Sequence, residues 1–214
     1  MNHDEFAELR IDYGDDALRR SDLVDDPVAL FRRWLELATE AGVREPNAMA
    51  LATSDADGQP HCRVVLLKQL DEHGFGFFTN KESDKGQQLR ANTKAAATFW
   101  WVAPRSRQVR IEGDVVELPE SDSDAYFASR PPRAQVCSAA SPQSRVVENR
   151  ASLEKLVDDL EREAGDALVR PRHWGGYALR PRSIEFWQGR DGRLHDRFRF
   201  VREGAGWRVD RLAP

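Results

Sequence analysis

The sequence predicts an α+β fold, mainly β, in which a barrel or sandwich carries flanking helices. Three observations predict it. Five short apolar segments separated by Asp/Gly turns crowd between Asn47 and Leu118, strand patterns return after Gly176, and helical periodicity is confined to the stretches around them. No internal repeat separates the two strand groups, so the late strands most simply complete the early sheet. The 214 residues then read as an arm, 1–25, followed by one domain, 26–214.

The elements follow in order. The arm is polar and carries a turn at Tyr13-Gly14-Asp15-Asp16, with no core of its own. Asp26 can cap a helix whose first position suits Pro27, and Val28, Leu30, Phe31, Trp34, Leu35 and Ala38 form its apolar face, ending near Gly42. Ala48–Thr53, His61–Leu70 and Phe75–Thr79 form an antiparallel meander with turns at Asp55–Gly58 and Asp71–Gly74. Ser83 caps a short helix through Leu89 in which Gly86 is a weak point. Ala95–Val102 and Gln108–Glu117 are two more strands. Glu120–Ser129 is a short helix broken by Arg130-Pro131-Pro132, Pro131–Arg145 is a surface loop, and Val147–Glu163 is a helix with Leu153, Leu156, Val157 and Leu160 on one side. The closing strands are Gly176–Leu179, Ile184–Gln188, Leu194–Val201 and Trp207–Leu212.

Composition excludes several classes. The net charge of −4 disfavours a polybasic surface for nucleic acid or membrane. No apolar stretch approaches the roughly 18 residues that cross a bilayer, and the Met1–Glu5 start lacks a signal-peptide pattern, so a cytoplasmic protein is expected. Cys62 and Cys137 are too few for a disulfide framework and wrongly spaced for structural zinc, and the five histidines lack zinc-hydrolase spacing, so no metal is expected. Glycine-rich nucleotide loops and a Gly-x-Ser-x-Gly elbow are both absent.

Cations on strands remain. Only five of the 32 basic residues are lysines, and Lys68 ends the apolar run Val64-Val65-Leu66-Leu67. It reads equally as a lysine leaving a strand before a turn and as an anion ligand. Arg63 and Lys68 are an odd number of positions apart, so on an ideal strand they face opposite ways. Arg193, His195 and Arg197 alternate along one strand and would share a face, which is also what the solvated side of an edge strand looks like. The Gly189–Gly192 turn would pair that strand with Ile184–Gln188, whose Trp187 suits a core as well as a ligand. Ser83–Lys85 and Gln143-Ser144-Arg145 offer hydroxyl, amide and cationic donors near predicted helix starts, where free N–H groups favour anions.

Taken together, these blocks resemble the pyridoxine/pyridoxamine 5′-phosphate oxidases. The likeness rests on Glu45–Met49, Arg63–Lys68, Phe78-Thr79-Asn80, Ser129-Arg130-Pro131, Gln143-Ser144, Trp174-Gly175-Gly176, Glu185–Gly189, Arg193–Phe198 and Asp210–Pro214. It implies an FMN-binding split β-barrel, active as a homodimer with the flavin between subunits. The implied FMN contacts are Arg63, Val64, Val65, Leu66, Leu67, Lys68, Phe78, Thr79, Lys85, Gln108, Gln143, Ser144, Trp187 and Arg197. The implied substrate contacts are Arg10, Tyr13, Lys68, Tyr126, Arg130, Arg193, Leu194 and His195, with Arg193 and His195 beside the reacting ring.

The implied reaction oxidises pyridoxamine or pyridoxine 5′-phosphate to pyridoxal 5′-phosphate. The substrate gives a hydride equivalent to flavin, O₂ reoxidises the flavin with release of H₂O₂, and the amine also yields ammonia. Three positions depart from the family pattern. Asp84 puts an acid beside Lys85, which opposes a flavin phosphate unless it pairs with an arginine; Ala134 replaces a serine that helps hold the substrate phosphate; Phe78 replaces a tyrosine. The alternatives are a related flavin oxidase acting on another aromatic metabolite, of phenazine type, and a non-catalytic flavin-binding split-barrel protein.

Overall fold

The computed structural model describes residues 12–164 and 168–214. Asp26 Oδ1 accepts from the Val28 N–H and Pro27 opens helix α1 (Pro27–Glu40), which buries Leu30, Phe31, Trp34 and Ala38. The remaining helices are α2 (Asp84–Ala91), α3 (Glu120–Ser129), α4 (Pro132–Ala140) and α5 (Arg150–Ala164). The strands are β1 (Ala48–Ser54), β2 (Pro60–Leu66), β3 (Gln69–Asp71), β4 (Gly74–Asn80), β5 (Lys94–Trp101), β6 (Arg107–Glu117), β7 (Trp174–Gln188), β8 (Asp196–Glu203) and β9 (Gly206–Arg211). Their order is β2-β1-β5-β6-β7-β4-β3, with β8 on β7 and β9 on β8.

Two compact units divide the described residues. One takes those up to Met49 together with Ala97–Ile111 and Arg182–Pro214; the other takes Ala50–Ala96 and Glu112–Pro181. In the first, Phe31 meets Phe99 at 4.8 Å, Trp34 meets Phe186 at 5.0 Å, and Phe186 meets Phe200 at 5.7 Å. Each such ring, fully buried, contributes about 1.5–3 kcal/mol. Antiparallel pairing sets Trp187 opposite Arg197 on β8, and Phe198 opposite Arg211 on β9. In the second, β4 lies antiparallel between β3 and the start of β7, with Gln69 opposite Gly76 and Phe78 opposite Gly176. Phe75 and Phe77 are fully buried there, and Phe77 stacks on Tyr177 at 5.8 Å.

Several expectations are corrected. The strand expected over His61–Leu70 breaks at Leu67-Lys68, because the Lys68 N–H turns to the Gly76 carbonyl at 2.8 Å. The face parity of Arg63 and Lys68 therefore does not apply. The expected loop Pro131–Arg145 contains α4, with Pro132 at its first turn, where a missing N–H is harmless. Gly176–Leu179 and Ile184–Gln188 are parts of one strand, β7. Pro181 is tolerated there because it falls between the pairing with β4, which ends at Leu179, and that with β8, which starts at Ser183. The long helix starts at Arg150 rather than Val147.

Gly86 is not a weak point. A Cβ there would lie 2.1 Å from the Lys81 carbonyl oxygen, so only glycine lets α2 pack onto that turn. Ser83 is the N-cap residue of α2, but its hydroxyl donates to the Asn80 carbonyl at 2.6 Å instead of capping. The strand expected from Leu194 starts at Asp196, so Arg193, His195 and Arg197 do not share a strand face. Gly192 and Arg193 both have positive φ, 66° and 63°, in a single 3-10 turn, Asp191–Arg193. Asp191 holds that turn by bonding Gly14 twice, through Oδ1 at 2.8 Å and through its own N–H at 3.2 Å.

Candidate functional site

A cavity of about 320 Å³ opens in the second unit. It is lined by Val64, Val65 and Leu66 of β2, Lys68, Phe78 and Thr79 of β4, Lys85 of α2, Tyr126 of α3, Arg130, Ser138 of α4, Gln143, and Trp174 of β7. Three of these are cations and none is a carboxylate.

Lys85 defines its electrostatics. Its Nζ donates to Gln143 Oε1 at 2.7 Å and to Thr79 Oγ1 and Ser83 Oγ at 3.2 Å, all neutral oxygens. Burial, reinforced by the Arg63 guanidinium, pulls its pKa down to about 8. The Asp84 carboxylate offsets this only in part, and a half-buried ammonium that no carboxylate bonds is poised for an external anion. Arg63 supports it from beside the cavity: Nη1 donates to Thr53 Oγ1 at 2.5 Å and to the Leu51 carbonyl at 3.1 Å, and Nη2 to Gln88 Oε1 at 2.9 Å. Asp84, the acid expected to oppose an anion, sits 3.7 Å from Arg145, an arginine able to offset its charge.

The far wall is aromatic. Phe78 stacks on Tyr126 at 4.1 Å and on Trp174 at 5.6 Å, and the Arg130 guanidinium lies 5.0 Å from the centre of the Trp174 ring. Gly176 permits the stack, since a Cβ there would come within 2.7 Å of the Phe78 ring. Arg130 Nη1 donates to Ser138 Oγ at 2.6 Å.

A second cluster forms in the first unit. Tyr13 meets Trp187 edge-on at 5.8 Å and His195 at 5.5 Å, and Trp187 lies 4.7 Å from His195. Gly189 makes room, as a Cβ would come within 2.7 Å of the Tyr13 ring. His195 Nδ1 accepts the Arg190 N–H at 3.1 Å, which leaves the ring proton of the neutral imidazole on Nε2. Burial, then the Arg193 charge, lowers the His195 pKa. Arg197 is engaged by Glu185, at 2.9 and 3.1 Å, and by the Ala213 carbonyl at 2.8 Å, and Glu185 holds its pKa above the ordinary value.

Of the expected FMN contacts, Val64, Val65, Leu66, Lys68, Phe78, Thr79, Lys85 and Gln143 gather in the cavity, joined by the expected substrate contacts Tyr126 and Arg130. Leu67 is buried, and Ser144 is exposed with φ 69° beside Gln143. Trp187, His195 and Tyr13 meet in the other cluster; Gln108 is half-buried on β6, and Leu194 is exposed. Arg10 lies outside the described residues. Ser138, Trp174 and the Thr53–Gln88 pair behind Arg63 were not expected as site residues, whereas Ser83 was expected as an anion donor and instead accepts from Lys85 Nζ. The Pro-Pro step at 131–132, read as a helix start, would have exposed Ser138. Among the described residues, no group of His, Cys, Asp and Glu could hold a metal, and no helix is long and apolar enough to cross a membrane.

The family model for pyridoxamine 5′-phosphate oxidase matches residues 35–162, and one described as the pyridoxine 5′-phosphate oxidase C-terminal dimerisation region matches residues 174–214. A pyridoxine/pyridoxamine 5′-phosphate oxidase of Pseudomonas paraeruginosa is 52% identical over 97% of this chain and 98% of its own. Another, from Salinibacter ruber, is 52% identical with the same coverage. Among solved structures, PhzG of Burkholderia lata, in complex with tetrahydrophenazine-1-carboxylic acid, has a TM-score of 0.87 at 35% identity, covering 94% of this chain and 100% of that one. A pyridoxamine 5′-phosphate oxidase-related, FMN-binding protein of Nostoc punctiforme shares the fold, with a TM-score of 0.71 at 16% identity over 90% of this chain and 100% of its own. The fold is thus the mainly β, α+β split barrel. With both family models matched and half of its residues identical to those relatives over nearly its whole length, this chain belongs to the pyridoxine/pyridoxamine 5′-phosphate oxidase family.

Proposed function

We propose that the protein is a cytoplasmic, homodimeric, FMN-dependent oxidase. It converts pyridoxamine 5′-phosphate and pyridoxine 5′-phosphate to pyridoxal 5′-phosphate with O₂, releasing H₂O₂ and, from the amine, ammonia. The observation that carries this reading is the cavity lined by Lys68, Lys85 and Arg130 with no carboxylate, next to a wall of stacked aromatic rings. That donor set suits two phosphate monoesters and two flat ring systems. The dimer draws support from the match of residues 174–214 to a dimerisation region, and from exposed Val64, Trp100, Val102 and Leu194.

FMN would be held at its phosphate by Arg63, Lys85, Thr79, Gln143 and Ser144, and along its ring by the Val64–Lys68 segment, Phe78, Gln108, Trp187 and Arg197. When bound it supplies a two-electron acceptor that O₂ can regenerate. Lys68, Tyr126 and Arg130 grip the substrate phosphate, converting an encounter into a fixed approach. Tyr13, Arg193, Leu194 and His195 orient the pyridine ring, and Arg10 joins them. Because His195 Nδ1 is occupied by the Arg190 N–H, the neutral imidazole presents Nε2–H as a donor. Arg193 is held in a left-handed conformation that costs about 1–2 kcal/mol, the kind of strain that fixes a side chain for a task.

The test is to purify the protein, record the visible absorption of bound flavin, and follow aldehyde formation and O₂ uptake with each phosphorylated vitamer. Arg130→Ala is expected to raise substrate KM while retaining flavin. Absence of turnover in FMN-saturated protein would overturn the reading. The likeness to PhzG keeps a second reading in view, oxidation of a phenazine-type metabolite. It has no use for a phosphate grip, so an unchanged KM in Arg130→Ala would favour it.

A further inference from the structure

Arg130 is one of three cations in the cavity, and the group that touches it is a hydroxyl, Ser138 Oγ, at 2.6 Å. The same hydroxyl donates to the Ala134 carbonyl, one turn back along α4, at 2.8 Å. Such a back-bond within a helix is weak, and the hydroxyl proton rotates readily. Arg133, the cation of α4 itself, is tied to Asp158 and Glu161 and is spent within the protein. Ala134 lines the neighbouring cavity but has no polar side chain to offer. Ser138 is therefore the side-chain hydroxyl that α4 brings to a cavity already holding Lys68, Tyr126 and Arg130.

Resting on the function proposed above, we propose that Ser138 completes the substrate-phosphate site and sets its preference for phosphorylated substrate. Its oxygen holds the Arg130 guanidinium beside Trp174. Its proton turns from the Ala134 carbonyl to a phosphate oxygen when that group enters, supplying the donor that Ala134 cannot.

The experiment compares FMN-saturated wild type with Ser138→Ala, Ser138→Thr and the double variant Ser138→Ala/Ala134→Ser. Steady-state kinetics are measured with pyridoxamine 5′-phosphate and with unphosphorylated pyridoxamine, and the pyridoxal 5′-phosphate dissociation constant is measured by equilibrium titration. Ser138→Ala is expected to raise the KM for the phosphorylated amine and the Kd for the aldehyde about 3- to 10-fold. Its kcat, its KM for free pyridoxamine and its flavin content stay at wild-type values. Threonine keeps the hydroxyl and the wild-type constants, and Ala134→Ser recovers part of the loss. Alanine is the better helix former, so the variant folds, and a melting curve checks that it has. An unchanged KM and Kd would overturn the proposal, as would an equal rise for both substrates, which is the signature of a merely structural hydroxyl. Wild type that turns over neither vitamer defeats the proposed function instead, and the Kd comparison still decides the role of Ser138.

Discussion

Two basic clusters, one in each unit, treat positive charge in opposite ways. In the first, Arg197 is clasped by buried Glu185, and buried Asp196 accepts from Arg211 Nη1 and from the Leu18 N–H at 2.9 and 3.0 Å. In the second, Lys85 leans only on neutral oxygens, and no acid lines the cavity that it shares with Lys68 and Arg130. A cation bonded by a carboxylate has its side chain fixed by the fold, whereas a cation that no carboxylate bonds is left to attract an external anion. The same residue type thus carries different information according to what faces it.

The largest test of that contrast is Glu185→Ala. It leaves Arg197 half-buried without its carboxylate, and the expected loss is about 3–5 kcal/mol of folding stability, read from urea unfolding. Lys85→Met should do the reverse. Removing an ammonium that burial already disfavours leaves the melting temperature equal or higher, while the FMN dissociation constant rises about 10- to 100-fold. A destabilised Lys85→Met protein would mean that this lysine is architecture too.

Acidity separates stability from binding at the same residue. Lys85 titrates near 8 in the folded protein against an ordinary 10.5, so between those values the unfolded chain binds more protons and the Lys85 contribution to stability improves as pH rises. FMN affinity moves the other way, falling up to tenfold per pH unit above about 8 as the ammonium is lost. Flavin fluorescence quenching across pH 7–10 checks the sign, and a flat affinity would remove Lys85 from the phosphate site. The smallest effect is expected in the other cluster. His195→Gln, which keeps an N–H donor, should lower kcat/KM about tenfold or less with flavin retained. Loss of flavin in that variant would make His195 part of the cofactor site.

How far the molecule could be read in advance depended on the range of the interactions. Helix α1 was legible because Asp26 and Pro27 act on their immediate neighbours. The break at Lys68 was not, because an unbroken apolar run looks like a strand until Gly76 competes for its N–H. The displaced Arg193 depends on bonds between Asp191 and Gly14, far apart in the chain, and no local pattern announces them. In the candidate site, the family resemblance named Lys68, Tyr126 and Arg130 together, and the three line one cavity. Ser138 was missed because two prolines were read as the end of order when the second begins a helix.

Gly86 bears on how this protein could be engineered. Glycine inside a helix is the usual first target for thermostabilisation, since alanine there typically adds about 0.4–1 kcal/mol by narrowing the unfolded ensemble. Here the new methyl would strike the Lys81 carbonyl oxygen at 2.1 Å and drive α2 off its seat, taking Lys85 with it. A library ranked on helix propensity alone would therefore select, at this position, for a protein that no longer holds its flavin.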